Sequence, residues 1–432
     1  MKKDDNLDQK IKERFSSEGY ILDYPVFTEE MKKTHTILVP SFLDSHMEIL
    51  AGALEKKGYK AKILTNTETI LVREGLKYVH NDTCYPALCV IGQFIDALKH
   101  EEDLEHVALI LTQTGGGCRA TNYVPLLRKA LNNSGYGFIP VITLNLGDLS
   151  KCEGLKIDLS FLMNLLAGVT YGDTLMYLHN KTRSYEVNNG ESDSLVSKWN
   201  KYLRNELANG RGSSKRDIKK NLKEIVKDFD SIELKEKKAC KVGIVGEIYV
   251  KYSAIGNNNL EKLLIDEGAE ICVPGVFGFL MYCFANGEYD YKYYGTKLLK
   301  KAYNTIVLKF IMGYESIMIK AIKKYSKFDA PKPFKETRNE SKGVIKHGAK
   351  MGEGWLLAAE MNELIKNGFD NIICAQPFGC LPNHVCGKGV INKLKEFHPE
   401  ANIAPIDYDS SASKVNQENR IKLMLALAKE KM

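Results

Sequence analysis

Cys84, Cys118 and Cys380 share one kind of sequence neighbourhood: each stands in a loop at or just before the start of a predicted helix. Cys84 follows the cap-type residues Asn81, Asp82 and Thr83 and precedes Pro86, which suits a first helical turn. Cys118 closes the loop QTGGGC after the apolar run Val107 to Thr112. Cys380 stands between the apolar run Asn371 to Ala375 and Pro382. A helix N-terminus favours a thiolate, and the exits of parallel strands are where open sheets bind ligands. Three such thiols, brought together from two facing domains, suit a negatively charged iron–sulfur core whose ligands come from distant parts of the chain. Any one of them alone is explained equally well as a small buried hydrophobe. No CxxC pair occurs, which disfavours a zinc ribbon, a thioredoxin motif and bacterial-type ferredoxin ligation.

The other candidate residues carry less. Cys374 lies inside the apolar run before Cys380, and Cys283 inside an apolar helix, so position alone favours core roles for both. Cys89 is one helical turn past Cys84 and Cys386 is near the helix start after Cys380, while Cys152, Cys240 and Cys272 show no comparable loop. His384 and Glu353 suit proton transfer, and Lys388 suits a phosphate contact, but lone residues of these kinds more often bond locally or face solvent. Gly246 and Glu247 sit at a predicted strand end, which reads as a functional position or as a tight turn. The three glycines before Cys118 allow close backbone approach to an anion, yet neither a P-loop nor a GxGxxG fingerprint is present.

The elements that would hold these residues alternate strand and helix. Thr36 to Pro40, Tyr59 to Leu64, Val107 to Thr112 and Val141 to Asn145 read as strands with helices between them, after a polar helical lead. A second α/β series starts at Lys241 to Val250, with a strand end at Gly246 and Glu247, and continues as strands at Ala269 to Val273, Asn371 to Ala375 and Ile403 to Tyr408. The fold class is therefore α/β, with two Rossmann- or flavodoxin-like domains built on parallel sheets. Residues 1–160 form the first, carrying Cys84 and Cys118; residues 161–238 form a charged helical bridge; residues 239–432 form the second, carrying Cys380. The chain of 432 residues is too long for one ordinary core. Its 61 basic and 54 acidic residues are interspersed, which suits surface solvation and predicts no nucleic-acid partner. The opening MKKDDNLDQKIKERF lacks the apolar core of a signal peptide, and no apolar run approaches the roughly 20 residues of a membrane span. A cytoplasmic protein without a membrane partner is expected, with ten reduced cysteines.

Six stretches carry a family resemblance: HNDTCYPALCVIGQ, LTQTGGGCRATNY, VGEIYVKY, MGEGWLLAAEM, QPFGCLPNHV and DYDSSASKVNQENRIKLML. In this order, from about His35 to about Lys429, they resemble the C-terminal region of the acyl-CoA dehydratase activase-related proteins. These belong to the wider group of 2-hydroxyacyl-CoA dehydratases, benzoyl-CoA reductases and double-cubane cluster proteins. The resemblance implies an oxygen-sensitive [4Fe-4S] or double-cubane [8Fe-9S] cluster held by three cysteines per cubane. It also implies electrons delivered one at a time by an ATP-hydrolysing iron–sulfur activator. Cys84, Cys118 and Cys380 fall within the matching stretches, as do Cys374 and, in a similar FLMYC segment, Cys283. A six-thiol double cubane would need one further ligand, Cys89 or Cys386. ATPase modules precede this region in the large relatives, so the activator is expected to act in trans.

Three functions compete at this point. The first is an iron–sulfur reductase or dehydratase component acting on a small or acyl-CoA substrate, with a homodimer as the common oligomer. The second is a non-enzymatic electron-transfer or cluster-carrier protein, and the third a zinc-binding or metal-free α/β binding protein. Substrate identity does not follow from the fold.

Overall fold

The computed structural model describes residues 15–16, 19–20, 24–68, 70–114, 117–145 and 154–431. The polar lead, Gly115, Gly116 and Cys152 lie outside them. Phe15–Ser16 (β1) and Gly19–Tyr20 (β2) form a short antiparallel pair.

Four strands of the first series build one parallel sheet: β3 (Thr36–Val39), β4 (Lys60–Ile63), β5 (Val107–Gln113) and β6 (Val141–Asn145), in the order β4-β3-β5-β6. Buried Leu38 pairs with buried Leu109 at its centre, whereas β4 is an edge whose exposed Lys60 and Lys62 discourage further pairing. The second sheet contains β7 (Lys241–Gly246), β8 (Glu270–Cys272), β9 (Asn371–Pro377) and β10 (Asn402–Tyr408), in the order β10-β9-β7-β8. All its pairings are parallel as well. Numbered within each half, both sheets run 2-1-3-4, the flavodoxin-like order. In each half the connections diverge between the first and third strands, which makes the carboxyl ends of β3 with β5, and of β7 with β9, the expected ligand edges.

The two α/β units share buried surface. One apolar cluster runs from Leu38, Leu88 and Phe94 of the first unit to Ile244, Tyr249 and Tyr408 of the second. Phe42 stacks on Tyr249 with ring centroids 5.8 Å apart and meets the edge of Tyr252 at 5.9 Å. The bridge is three helices, Leu159–Thr182, Glu191–Ala208 and Lys215–Asp230. Its charge is a solvated face, as the alternation of Lys with Asp and Glu suggests: Ile218, Leu222, Ile225 and Phe229 turn inward at helical spacing. Arg204 ties the bridge to the first unit through Glu48 at 2.7 Å and through Glu55.

The second unit carries two long helices, Val276–Tyr294 and Leu298–Tyr325, between β8 and β9. Trp355, fully buried, anchors them through Tyr282 and donates its indole N–H to Asn286 Oδ1 at 2.9 Å. Glu315 is buried on the second of these helices and accepts the Phe334 N–H at 2.7 Å. Burial, and next the Asp173 charge, push its carboxyl up to about 7. An acid whose folded pKa lies above its unfolded value contributes stability that is present below the unfolded pKa and lost as pH rises through the folded one. Unfolding free energy is therefore expected to fall between about pH 4.5 and 7 by up to about 3 kcal/mol through this group. Glu315→Gln, which keeps the acceptor oxygen, should flatten that slope in chemical denaturation series; an unchanged slope would count against this assignment.

At the strand end expected for Gly246 and Glu247, β7 stops and a helix, Ile248–Tyr252, begins at once, capped by Glu247 through the Val250 N–H at 2.8 Å. The segment after Cys380 is helical immediately, at Leu381–Cys386, with Pro382 in its first turn.

Candidate metal centre

All three cysteines of the shared neighbourhood are helix N-cap residues. Cys84 caps Tyr85–Lys99, with Pro86 in the first turn. Cys118 caps a four-residue 3-10 turn, Arg119–Asn122, and Cys380 caps Leu381–Cys386. Cys118 and Cys380 follow β5 and β9, so they occupy corresponding places at the exit of the third strand of each half. Cys84 precedes the helix that leads into β5. The residue in the corresponding place of the second half is Glu353, just ahead of Trp355–Lys366 and β9.

The Gly-rich loop before Trp355 lies against both of the other thiol loops. A Cβ on Gly117 would stand 2.8 Å from Met351 Sδ, and one on Gly352 would stand 2.9 Å from Pro382. That seating directs Glu353 inward, where it accepts the Ile248 N–H at 3.0 Å and the Asn383 side-chain N–H at 2.9 Å. The same Asn383 nitrogen lies 3.5 Å from Cys380 Sγ. Glu247, at the exit of β7, is held by its own N–H donating to Ala375 O at 3.0 Å. Its negative charge raises all three thiols, Cys84, Cys118 and Cys380, and Glu353 raises Cys118 and Cys380. Cys84 and Cys118 also act together on Tyr123, whose hydroxyl lies 3.2 Å from Cys84 Sγ. The three thiol loops and the two carboxyls thus lie near one another at the facing sheet edges.

The electrostatics run opposite to the sequence expectation of helix-stabilised thiolates. Burial, then the Glu247 charge, pushes Cys84 up to about 12, and burial takes Cys380 to about 12 and raises Cys118. Two of the three helices are too short to offer much of a dipole, and burial with the carboxyls outweighs the hydrogen bonds that lower the thiols. Glu247 and Glu353 are themselves raised, chiefly by burial, with Glu353 next for Glu247. The buried ammonium of Lys251 opposes this for both, but it is already paired with Glu360 at 3.4 Å. Thiols in this setting are poor free nucleophiles. They ionise when a bound cation replaces the proton, which is the chemistry of a metal ligand.

Each sulfur also has a hydrogen-bond donor: the Tyr123 hydroxyl for Cys84, Ala120 N–H at 3.5 Å for Cys118, and Asn383 for Cys380. All three cysteines are partly accessible, as a ligand set facing a cleft must be. Asn383 is fully buried with its Oδ1 unpartnered. Among the described residues no three His, Cys, Asp or Glu side chains are close enough to hold a single metal ion. An iron–sulfur cubane spreads its thiolates farther apart than one ion does, so that finding bears on a single-ion site alone.

The remaining candidates fall elsewhere. Cys374 is fully buried and Cys386 nearly so, in one apolar cluster with Val245, Leu357 and Ile372. Cys89 is buried between the units. Cys283 is exposed on Val276–Tyr294, although neighbouring atoms crowd its sulfur enough to raise it to about 12, with Glu353 as the next cause. Its accessible surface is the better guide to what can reach it, and makes it a thiol on a crowded wall. His384 accepts the Gly379 N–H at 3.2 Å, and Lys388 pairs with Asp407 at 3.2 Å, the local roles that lone residues of these kinds usually have. The sequence reading missed Tyr123, Asn383 and the meeting of Glu247 with Glu353; the shared Gly-Glu step at Gly246 and Gly352 was its one available signal.

Among the described residues no helix is long and apolar enough to cross a membrane. No known family model and no curated protein matches this chain.

Proposed function

We propose that this chain is an oxygen-sensitive iron–sulfur protein of the 2-hydroxyacyl-CoA dehydratase type. It takes low-potential electrons from an ATP-dependent activator acting in trans, and reduces or dehydrates a small or acyl-CoA substrate. The observation that carries the reading is the arrangement of three N-cap thiols from two facing sheets around the Glu247 carboxyl. Cys84, Cys118 and Cys380 would hold a [4Fe-4S] cubane; a double cubane would draw further on Cys283 and Cys374. The bound cluster supplies one-electron transfer.

The chain's own residues do the rest. Tyr123, Ala120 N–H and Asn383 donate to the sulfurs, a contact that tunes reduction potential. The packed loops limit water at the thiols. Glu247 and Glu353, raised by burial, are placed to hold or release a proton beside a bound substrate.

The experiment is anaerobic turnover with a low-potential one-electron donor and candidate 2-hydroxyacyl-CoA thioesters. Enoyl-CoA formation with the protein left reduced, since dehydration returns its electron, or substrate-dependent reoxidation with a reduced product supports the reading, and a reducible cluster without turnover on any thioester indicates an electron carrier. Tyr123→Phe is expected to retain iron while shifting the midpoint potential to more negative values, because one hydrogen bond to sulfur is lost. Redox titration of the two proteins checks it.

A further inference from the structure

The helix Leu298–Tyr325 is covered over only part of its length. From Tyr314 onward its inner face is buried, with Met318, Ala321 and Ile322 packed against the helices Leu159–Thr182 and Lys215–Asp230. The second of these begins level with Phe310, since Lys215 Nζ lies 5.6 Å from both the Phe310 and the Tyr314 rings. It runs on in the same direction, so that Lys223 reaches the Tyr325 ring and Asp230 accepts the Lys327 N–H at 2.6 Å. Ahead of Phe310 nothing among the described residues continues it. There Leu299, Tyr303, Ile306 and Phe310, at intervals of four, three and four residues, are 83%, 62%, 68% and 42% exposed. That spacing places them on one face, and at 1.5 Å per residue the stripe is about 16 Å long.

The edges of the stripe are cationic. Lys300 and Lys309 lie about a quarter turn to either side of the stripe and make no ion pair among the described residues, whereas Lys301 lies on the opposite face, over the Tyr291 ring. The acids nearby are already neutralised, Glu288 by Arg338 and Asp290 by Lys350. The unpaired cations would oppose a second copy of the same face, and an apolar seam one residue wide at heptad spacing is the footprint of a helix.

The geometry points to a docking site for an acidic amphipathic helix of a partner protein, lying end to end with Lys215–Asp230 and extending its seam over Leu299, Tyr303, Ile306 and Phe310. Apolar residues of that helix fill the stripe, and Asp or Glu on its flanks meet the unpaired lysines. The site adjoins the cleft: Tyr294 donates to Gly348 O at 2.8 Å, and Lys350 joins the hairpin to the loop that carries Glu353. The inference does not depend on iron being bound there.

The test uses the full chain and two synthetic helical peptides that share a leucine heptad seam, one flanked by Glu and one by Lys, followed by fluorescence anisotropy. The Glu-flanked peptide is expected to bind at least about tenfold more tightly than the Lys-flanked one and to weaken as salt rises. Leu299→Glu with Ile306→Glu, both on exposed positions, should abolish binding while circular dichroism stays unchanged. Equal binding of the two peptides, or binding that survives the double substitution, overturns the proposal. So does self-association that Leu299→Glu removes, which would make a second copy the occupant, and so does partition onto phosphatidylglycerol vesicles without peptide binding.

Discussion

Replacing Cys118 by alanine is expected to strip the anaerobically prepared protein of bound iron, and Cys84→Ala and Cys380→Ala should do the same. Each of these thiols caps a helix at the cleft and each is partly accessible. Loss of a donor leaves two sulfurs, too few to hold a cubane against solvent thiols, so a fall of at least about tenfold in iron affinity is expected. Cys89→Ala is the control: Cys89 is fully buried in the shared apolar cluster, and its loss should cost packing and leave the iron content unchanged. Iron and sulfide assays on the four variants, with thermal melts to exclude unfolding, read the difference. Iron retained in all three cleft variants would remove the ligand assignment.

The second large effect is on the scaffold of the same cleft. Gly246→Ala should destabilise the second α/β unit by roughly 3–5 kcal/mol, or on the order of 10 °C in Tm. Gly246 ends β7 with φ +148°, and a Cβ there would lie 1.8 Å from Ala375 O, the backbone atom to which the Glu247 N–H donates. The chain can relieve that overlap only by parting β7 from β9, which displaces Glu247 as well. Gly268→Ala separates conformational strain from collision, since its φ is +81° but a Cβ there meets nothing within 4 Å. Its cost should be nearer 1 kcal/mol, about that of one strained residue. Similar losses for the two variants would show that the close approach at Ala375 is relieved more easily than the geometry indicates.

The fold was legible in the sequence where apolar runs were bounded by Gly, Pro or Asn. VALILT, VITLN and NIICA each became a strand of a parallel sheet, and the charged middle segment became amphipathic helices. Strand order was not legible, because nothing in a strand's own residues names its neighbours. The end of β7 was legible at Gly246 and Glu247 although Ile248, Tyr249 and Val250 favour strands on their own; Glu247 capping the next helix and the positive φ of Gly246 set that limit. The loop neighbourhoods of Cys84, Cys118 and Cys380 did indicate helix starts, and each of the three is an N-cap. Their protonation was misjudged, because burial and two carboxyls from other loops outweigh the field of a helix end. Glu247 and Glu353 meet only through tertiary structure, and no local pattern joins them.

The central claim is that the three cleft thiols hold an inorganic cluster. Iron and acid-labile sulfide determined on the anaerobically purified wild-type chain, with electron paramagnetic resonance after reduction by a low-potential donor, tests it most directly. The account predicts about four irons with matching sulfide per chain, or about eight for a double cubane, and a signal that disappears on exposure to air. Stoichiometric zinc, or a metal-free protein with three freely titrating thiols at the cleft after anaerobic reconstitution with iron and sulfide, would contradict it.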